Sequence, residues 1–348
     1  IQPSGGQIGV VLPRAVFAAK GSEQFRHTVF DNDGWLDLTT LVNSRGWVFE
    51  NVDPRYSIAL SVFRRGRGPR EKHVFLRGPY SDRHSFHTRS VREPATFSYE
   101  AVREWTAGAS LPLFPREDSG PVFLKLHASP RFGDQSARDW LARPVLGDIH
   151  TTADKDWLDF DNAPSRARWP VYAGESFDIW NPDSGRYYAV AEAKPLTSEL
   201  EQRRAASATR AKGAFASLAP ETLRDPKTLP CRNARIAFRD VTRATDVRTS
   251  RSTLVPPNVF MVHTAAHLLF ARGGPSAAAF VLGVMSSIPF DWMARRVVET
   301  HMTFEVLDGL PVPDSPLSAK MAKRAIGVSA RSEEHTSELQ SRGLISYA

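Results

Sequence analysis

The sequence predicts an α/β region at the start of the chain and a longer α+β region after it. The first prediction rests on a short apolar run, a capped helix and a strict alternation within residues 1–65. The run from Gln7 to Leu12 ends at Pro13 and is typical of a buried strand. A helix with its apolar residues on one side is predicted after Gly21 and Ser22, which are suited to cap it.

Two further strands complete this region. Residues 35–42 are apolar again, and from Tyr56 to Val62 large apolar residues alternate with Ser and Ala. A period of two is the pattern of a strand. The resulting order of strand, helix, strand, turn and strand predicts the closing part of an α/β sheet.

The rest of the chain divides at two places. The Gly-, Pro- and Arg-rich segment 64–70 predicts a linker, so the first domain is expected to span residues 1–65. Residues 66–145 are proline-rich, show no long helical pattern and form a predicted connecting region. Residues 146–318 predict an α+β domain, and 319–348 form a tail. The elements expected in the α+β domain are strands at 177–180, 187–191 and 234–238, and helices at 198–211, 258–271 and 276–300.

The composition narrows the class of protein. Hydrophobic residues make up 41% and charged residues 24% of the 348 residues, which is typical of a globular protein. The net charge of +7 suits a polyanionic partner. The single cysteine, Cys231, excludes an internal disulfide framework, and we interpret it as structural. The longest apolar run, 277–285, is too short for a bilayer, so no membrane role is expected.

The two ends of the chain carry a further expectation. Residues 331-RSEEHTSELQSR-342 resemble the translation of a sequencing adapter, so the segment 331–348 is left out of the fold prediction as non-native. The sequence also begins with Ile1 instead of Met. From these two observations we expect a fragment of a longer protein.

Several segments resemble the N6-adenine-specific DNA methyltransferases of the type IIG restriction-modification family and of related phage-defence systems. The glycines, apolar strand and Leu-Pro of 5-GGQIGVVLPRAVF-17 are similar to the strand after the catalytic motif of that family. The segment 43-NSRGWVFENVDPRYSIALSVF-63 resembles the strand pair that carries its base-stacking aromatic residue. Residues 235–260 and 278–316 resemble its target-recognition region. The order and spacing of these segments match along most of the chain.

The resemblance implies a function for the parent protein. It would transfer a methyl group from S-adenosylmethionine to N6 of adenine in double-stranded DNA, with restriction or defence-system subunits as further partners, in the bacterial or archaeal cytoplasm. Residues 1–65 would be the C-terminal remnant of a Rossmann-like methyltransferase sheet, and 146–318 an α+β target-recognition domain. Phe49 matches the aromatic residue that stacks on a flipped base. The alternative is that Phe49 packs against the sheet edge.

The family's catalytic Asn-Pro-Pro-aromatic motif and its cofactor loop do not occur in this sequence. Asn181 and Pro182 are followed by Asp183, and the pair Pro256–Pro257 follows Val255. We therefore expect no cofactor-binding residues in this chain and no catalysis by the chain alone. The open sheet edge also predicts low stability in isolation.

Arginines recur through residues 231–260, with six Arg against two Asp. Arg binds phosphate and reads guanine through paired hydrogen bonds, so this stretch is a predicted DNA contact. A solvated strand face with salt bridges to Asp240 or Asp246 is the alternative. The predicted DNA-binding residues are Arg235, Arg239, Arg243, Arg248 and Arg251.

Two other functions stay open at this point. A non-catalytic DNA-specificity module, akin to the specificity subunit of a type I system, would keep the DNA contacts without a catalytic sheet. A nuclease of the PD-ExK type would use Asp183, Glu192 and Lys194, with the two carboxylates on adjacent strands around Mg²⁺. The spacing between the carboxylates is short for such a site, and residues 183–185 are typical of a turn.

Two further patterns were considered for metal binding. His263 and His267 have the spacing of a zinc pair on a helix, but Thr264 stands where a metalloprotease has Glu. The acidic segment 154–161 lacks the Gly and the closing Glu of a calcium loop. We therefore predict no metal site, and interpret these residues as core histidines and a solvated acidic loop.

Overall fold

A computed structural model describes residues 6–32, 35–54, 56–64, 72–90, 93–105, 108–116, 118–136, 138–211, 213–314 and 320–327. Most of the predicted linker at 64–70 and the whole adapter-like segment 331–348 lie outside the described residues. The chain divides into two compact units, which are residues 1–129 with 295–297, and residues 130–294 with 298–348.

The first unit combines strands with short helices. Their bounds are β1 (Gln7–Pro13), α1 (Ala15–Ala18), α2 (Glu23–Asn32), β2 (Trp35–Val42), β3 (Ser57–Arg64), β4 (His73–Tyr80), α3 (Arg83–Arg89), β5 (Ala95–Ser98), α4 (Tyr99–Trp105) and α5 (Ser119–His127).

The described strands of this unit form one mixed sheet in the order β1-β3-β2-β4-β5. β2 and β4 are parallel and the other neighbouring pairs are antiparallel, so β1, β2 and β4 share one direction. β1 and β2 are connected through α1 and α2, and β3 returns between them. The fold is thus mixed α/β, which confirms the predicted class. The sheet continues beyond the predicted domain end at residue 65, because β4 pairs with β2. Buried and half-buried positions alternate along β4, as in a strand with one covered face.

β1 differs from the buried strand that its apolar run predicts. Val10 and Val11 are 36% and 57% exposed, although successive side chains of a strand point to opposite faces. Among the described residues, β1 pairs only with β3 and lies at one edge of the sheet. An apolar run therefore identifies the strand, whereas its burial depends on which elements cover it.

The second unit is a mixed α+β arrangement. The bounds of its elements are β6 (Leu141–Val145), β7 (Arg168–Tyr172), β8 (Ala189–Glu192), α6 (Ala193–Ala208), α7 (Pro220–Arg224), β9 (Arg235–Arg239), β10 (Ser252–Val255), β11 (Phe260–Met261), β12 (Ala265–Arg272), α8 (Pro275–Met285), α9 (Ile288–Val297) and α10 (Phe304–Gly309), where the last residues of α9 belong to the first unit.

Two sheets organise the described part of this unit. One has the order β10-β9-β12-β6 with antiparallel neighbours, and the other has the order β11-β7-β8. Leu196 and Leu200 of α6 pack into a buried core together with Val171 of β7 and Phe260 of β11. Burial of these large apolar side chains is the main stabilising contribution in this unit.

The predicted helix at 258–271 is wrong, because this segment forms β11 and β12. His267 in the middle of β12 lies opposite Val145 of β6 and Ala237 of β9. The segment is apolar at consecutive positions, and such a run fits a buried strand as well as a buried helix. Its pairing partners on β6 and β9 are distant in sequence, and they decide between the two.

Five other predictions for the second unit can be compared directly. The predicted strands at 187–191 and 234–238 correspond to β8 and β9, and the predicted helix at 198–211 corresponds to α6, which begins earlier. The predicted helix at 276–300 forms two helices, α8 and α9. Ser287 begins α9 by accepting a hydrogen bond from the N–H of Phe290.

Residues 177–180 form a tight turn instead of the predicted strand. The turn is closed by mutual backbone hydrogen bonds between Asp178 and Asn181.

In the described part of the chain, no single helix is long and apolar enough to cross a bilayer. The consecutive helices α8 and α9 reach the required length and hydropathy only as a pair, and they are bent by 62° where they meet.

Candidate nucleic-acid interface

The loop between β2 and β3 in the first unit is organised by one buried side chain, Asn43. Its Oδ1 accepts hydrogen bonds from the N–H groups of Val48 (3.1 Å) and Phe49 (3.0 Å). Its Nδ2 donates to the carbonyls of Phe49 (2.9 Å) and Val52 (3.0 Å). The backbone of Asn43 also pairs with Gly46 and Tyr56. Because Asn43 is fully buried, these hydrogen bonds fix the course of the loop.

Val48 and Phe49 point in different directions from this loop. Val48 and Trp47 pack against the cluster formed by Leu41, Ile58 and Tyr80. Phe49 is instead 45% exposed. The loop thus presents an aromatic ring to solvent from a fixed backbone. That this ring stacks on a flipped base stays a prediction.

The loop between β9 and β10 in the second unit, residues 240–251, is likewise held by buried polar groups. The Thr242 hydroxyl donates to the carbonyl of Thr249 (2.8 Å), and the Thr249 hydroxyl donates to the carbonyl of Arg243 (2.8 Å). Asp291 at the start of α9 accepts hydrogen bonds from the N–H groups of Thr249 (2.7 Å) and Ser250 (2.8 Å). The loop is therefore cross-linked internally and anchored to a helix.

Four side chains of this β9–β10 loop are exposed. Val241 is 54% and Val247 88% exposed, and Arg243 and Thr245 are exposed as well. Among the described residues, no carboxylate lies within ion-pair distance of the Arg243 guanidinium. A cation, a hydroxyl and an apolar group are thus displayed side by side on a rigid hairpin end. This combination is able to contact phosphate and base edges.

Arg235 is not available for the predicted DNA contact. It lies in β9, and its guanidinium forms two hydrogen bonds with the Asp148 carboxylate, of 2.6 and 3.1 Å. The two side chains are 5% and 7% exposed. Arg235 also donates to the carbonyl of Val259, and Asp148 accepts from the N–H of Met261. The pair is a buried structural ion pair that connects β9 and β11 with the segment that follows β6.

Three other arginines of the predicted set are partly buried and have partners in the same unit. Arg239 donates to the carbonyl of Phe177 and lies 3.5 Å from the Asp178 carboxylate. Arg251 also lies 3.5 Å from Asp178. Arg248 donates to the carbonyls of Ser286 and Ser287 and lies 3.4 Å from Asp291. Of the five predicted arginines, Arg243 is the one with an exposed side chain.

The residues of the alternative nuclease site have local structural roles. Asp183 closes its own turn, because its carboxylate accepts hydrogen bonds from the Gly185 N–H (2.7 Å) and the Tyr187 hydroxyl (2.9 Å). Glu192 lies 3.5 Å from Arg168, and Asp183 does not lie on a strand. Within the described residues, no group of three His, Cys, Asp or Glu residues is arranged to hold a metal ion.

The pair Asn181–Pro182 does not supply the Asn-Pro-Pro-aromatic motif that acts with S-adenosylmethionine in the resembled family. Asn181 forms the tight turn with Asp178 in the second unit, and Pro182 follows in that turn. By the resemblance, the family motif would instead precede the strand that corresponds to β1. We therefore assign no step of methyl transfer to these residues.

The histidines and the cysteine also have defined positions. His150 and His263 stack with their ring centroids 4.3 Å apart, while His267 is buried in β12. Half of the residues of the acidic segment 154–161 are exposed, and Asp154 pairs with Arg203 at 2.8 Å. Cys231 is fully buried, and this burial raises the pKa of its thiol to about 12. A thiol in this state is unreactive, as the structural interpretation requires.

No protein-family model and no curated protein matches the sequence. Among solved structures, the chain is similar to the type IIL restriction-modification enzyme MmeI in complex with DNA, with a TM-score of 0.47, 11% identity and coverage of 94% of this chain and 42% of that chain. It is also similar to a nuclease-deletion mutant of the type ISP restriction-modification enzyme LlaGI in complex with a DNA substrate mimic. The TM-score is 0.45 at 10% identity, and the match covers 94% of this chain and 30% of that chain. For the type IIG restriction endonuclease BpuSI, the TM-score is 0.38 at 14% identity, and the match covers 93% of this chain and 42% of that chain. The chain spans less than half of the length of each of these enzymes.

Proposed function

We propose that this chain is the DNA-recognition part of a restriction-modification enzyme that methylates N6 of adenine. The observation that carries the proposal is the exposed ring of Phe49 on a loop whose backbone is fixed by Asn43. An adenine inside a duplex must be turned out of the stack before its amino group is reached. Stacking on an aromatic ring contributes about 1–3 kcal/mol to holding such a base.

The β9–β10 loop supplies the second DNA contact in this proposal. Arg243 neutralises a phosphate, while Thr245 and Val247 contact the edges of bases or the thymine methyl group. The exposure of all three side chains supports this role. Arg235, Arg239, Arg248 and Arg251 shape the loop and its surroundings without a direct DNA contact.

Methyl transfer belongs, in this proposal, to the complete protein with S-adenosylmethionine bound outside the residues described here. The topology of the first sheet supports that assignment. β1 and β2 run in the same direction, a helical segment connects them, and β3 returns antiparallel between them. An α/β sheet of this kind is the type of scaffold that positions a nucleotide-like cofactor at the ends of its parallel strands.

The proposal is tested by measuring DNA binding of the chain and its variants. Duplexes that bind are first selected from a random pool, and their affinity is measured by fluorescence anisotropy. Phe49→Ala should weaken binding by about 5- to 150-fold, which corresponds to the loss of one stacking contact. Placing a mismatch at the flipped adenine should strengthen binding of the original chain, because less pairing energy is lost.

Val52→Ala provides the matched control, since Val52 is exposed to a similar extent in the same loop. Its affinity should stay within about twofold of the original. Equal losses for the two variants would remove the stacking role of Phe49. A DNA-specificity module without a flipped base would respond to Arg243→Gln and not to Phe49→Ala, so the pair of variants also separates the two functions.

A further inference from the structure

The second unit contains a cavity of about 640 Å³ that none of the DNA contacts uses. It lies between α6 and the face of the sheet formed by β6 and β12, within one compact unit. Its wall is mainly apolar, and includes Val145, Leu200, Phe215, Leu229, Phe304 and the imidazole of His267. Cavities of this volume and character are the usual binding sites of small molecules.

His267 is the unusual member of this wall. It is 2% exposed, and neither of its ring nitrogens has a hydrogen-bond partner within the described part of the chain. Its cross-strand neighbours Ala237 and Val145 have no polar side-chain atom to offer. Buried polar groups are almost always hydrogen-bonded, so an imidazole without a partner in a cavity wall indicates that a bound molecule provides one.

The protonation state of His267 defines what that molecule must offer. Burial holds the pKa of His267 well below its ordinary value, and the nearby Arg235 guanidinium lowers it further. The imidazole is therefore neutral, with one nitrogen that donates a hydrogen bond and one that accepts. The complementary ligand carries an acceptor and a donor on its polar edge.

The cations near the cavity do not call for an anionic ligand. Arg203 pairs with Asp154 and Glu199, both at 2.8 Å. Arg204 donates to the Thr228 hydroxyl and to the backbone of residue 225, while its Nε has no partner within the described residues. Arg143, which also lines the cavity, donates to the carbonyl of Gly213 at 3.3 Å. Because each of these guanidinium groups already has at least one partner, a phosphate or carboxylate would have to compete with existing bonds.

We propose that this cavity binds an uncharged heteroaromatic molecule of nucleoside size, whose ring packs against Phe215 and Phe304 and whose polar edge pairs with His267. The two aromatic side chains offer the flat apolar surface that a planar ring requires. The proposal concerns the second unit alone and does not depend on the role of Phe49 in DNA binding.

The test uses the full chain with its histidines labelled by ¹⁵N, and the nucleosides adenosine, guanosine, cytidine and thymidine as probes. The imidazole signals of His267 are assigned as those missing from His267→Leu. At least one nucleoside should shift these signals, and His267→Leu should weaken its binding at least tenfold by calorimetry. If none of the four shifts the His267 signals, or if binding survives in His267→Leu, the proposal is overturned.

Two further measurements separate binding from folding and fix the charge of the ligand. Without a ligand, His267→Leu should melt at the same temperature or higher, because it removes an unpaired buried polar group at similar volume. A strongly lowered melting temperature would show that His267 is already bonded and would overturn the argument. Tighter binding of adenosine 5′-monophosphate than of adenosine would overturn the uncharged class.

Discussion

The side-chain amide of Asn43 is hydrogen-bonded to both the N–H and the carbonyl of Phe49, at 3.0 and 2.9 Å. A single buried residue thus determines where an exposed aromatic ring stands. For a ring that receives a flipped base, such preorganisation reduces the conformational entropy lost on binding. The stacking role proposed for Phe49 would therefore depend on a residue that does not itself contact DNA.

Asn43→Ala should destabilise the first unit by about 1–3 kcal/mol, because the partly buried backbone groups of residues 48, 49 and 52 lose their partner. Hydrogen exchange of the Val48 and Phe49 amides should accelerate, and DNA affinity should fall although Phe49 is intact. Glu50→Ala, an exposed change in the same loop, is the control. Unchanged exchange at both amides in Asn43→Ala would contradict the organising role of the amide.

Arg235→Met should lower the free energy of unfolding by about 3–5 kcal/mol, because Asp148 is left as a buried charge without its partner. The double variant Arg235→Met with Asp148→Leu should regain much of this loss, since no unpaired charge is left. Denaturant unfolding measures both effects. If Arg235→Met kept full stability and bound DNA less tightly, Arg235 would be a DNA contact after all.

Arg243→Gln should leave the stability within about 0.5 kcal/mol, because Arg243 is exposed. Removing one phosphate contact should flatten the slope of log affinity against log salt by about 1. The matched control is Arg248→Gln, which removes hydrogen bonds to the end of α8 and should mainly reduce stability. A salt slope that is unaltered in Arg243→Gln would exclude a phosphate contact by this residue.

The stability of the second unit should fall as the pH drops below about 6.5, the ordinary pKa of histidine in the unfolded chain. His267 binds a proton in the unfolded state but resists it in the folded state, because its pKa there is lowered by burial and by Arg235. Its contribution is thus present at higher pH and lost on acidification, by about 1 kcal/mol between pH 7.5 and pH 5.5.

His267→Leu should remove the contribution of His267 to the pH dependence of stability. The contributions of the other histidines should persist. Thermal unfolding of both proteins across that pH range measures the difference. Parallel curves for the original chain and the variant would show that His267 titrates alike in the folded and unfolded states.

Local sequence patterns were sufficient for the first three strands of the chain. β1, β2 and β3 follow from an apolar run, a second apolar run and the alternation between Tyr56 and Val62, because each is bounded by turn residues. The prediction that β1 is buried is wrong, because burial depends on which elements cover the strand. Periodicity predicts a helix at 258–271, because it carries no information about the strand partners on β6 and β9.

The candidate nucleic-acid interface could be predicted from the sequence to a smaller extent than the strands. The exposure of Phe49 agrees with the role taken from the resemblance, but the sequence shows Asn43 only as a turn residue before Ser and Gly. Five arginines in one stretch look equivalent in sequence. Asp148, which removes Arg235 from the surface, lies 87 positions away. Long-range ion pairs of this kind leave no local signal.

The shape of the β9–β10 loop is set by Thr242, Thr249 and Asp291, all of which are buried. Its outward side chains, Arg243 and Val247, take no part in the hydroxyl and carboxylate bonds that shape it. The hairpin end is therefore a place where side chains are exchangeable on a constant scaffold. If this loop contacts DNA as proposed, a library randomised at the exposed positions and sorted against different duplexes should yield new sequence preferences without loss of folding.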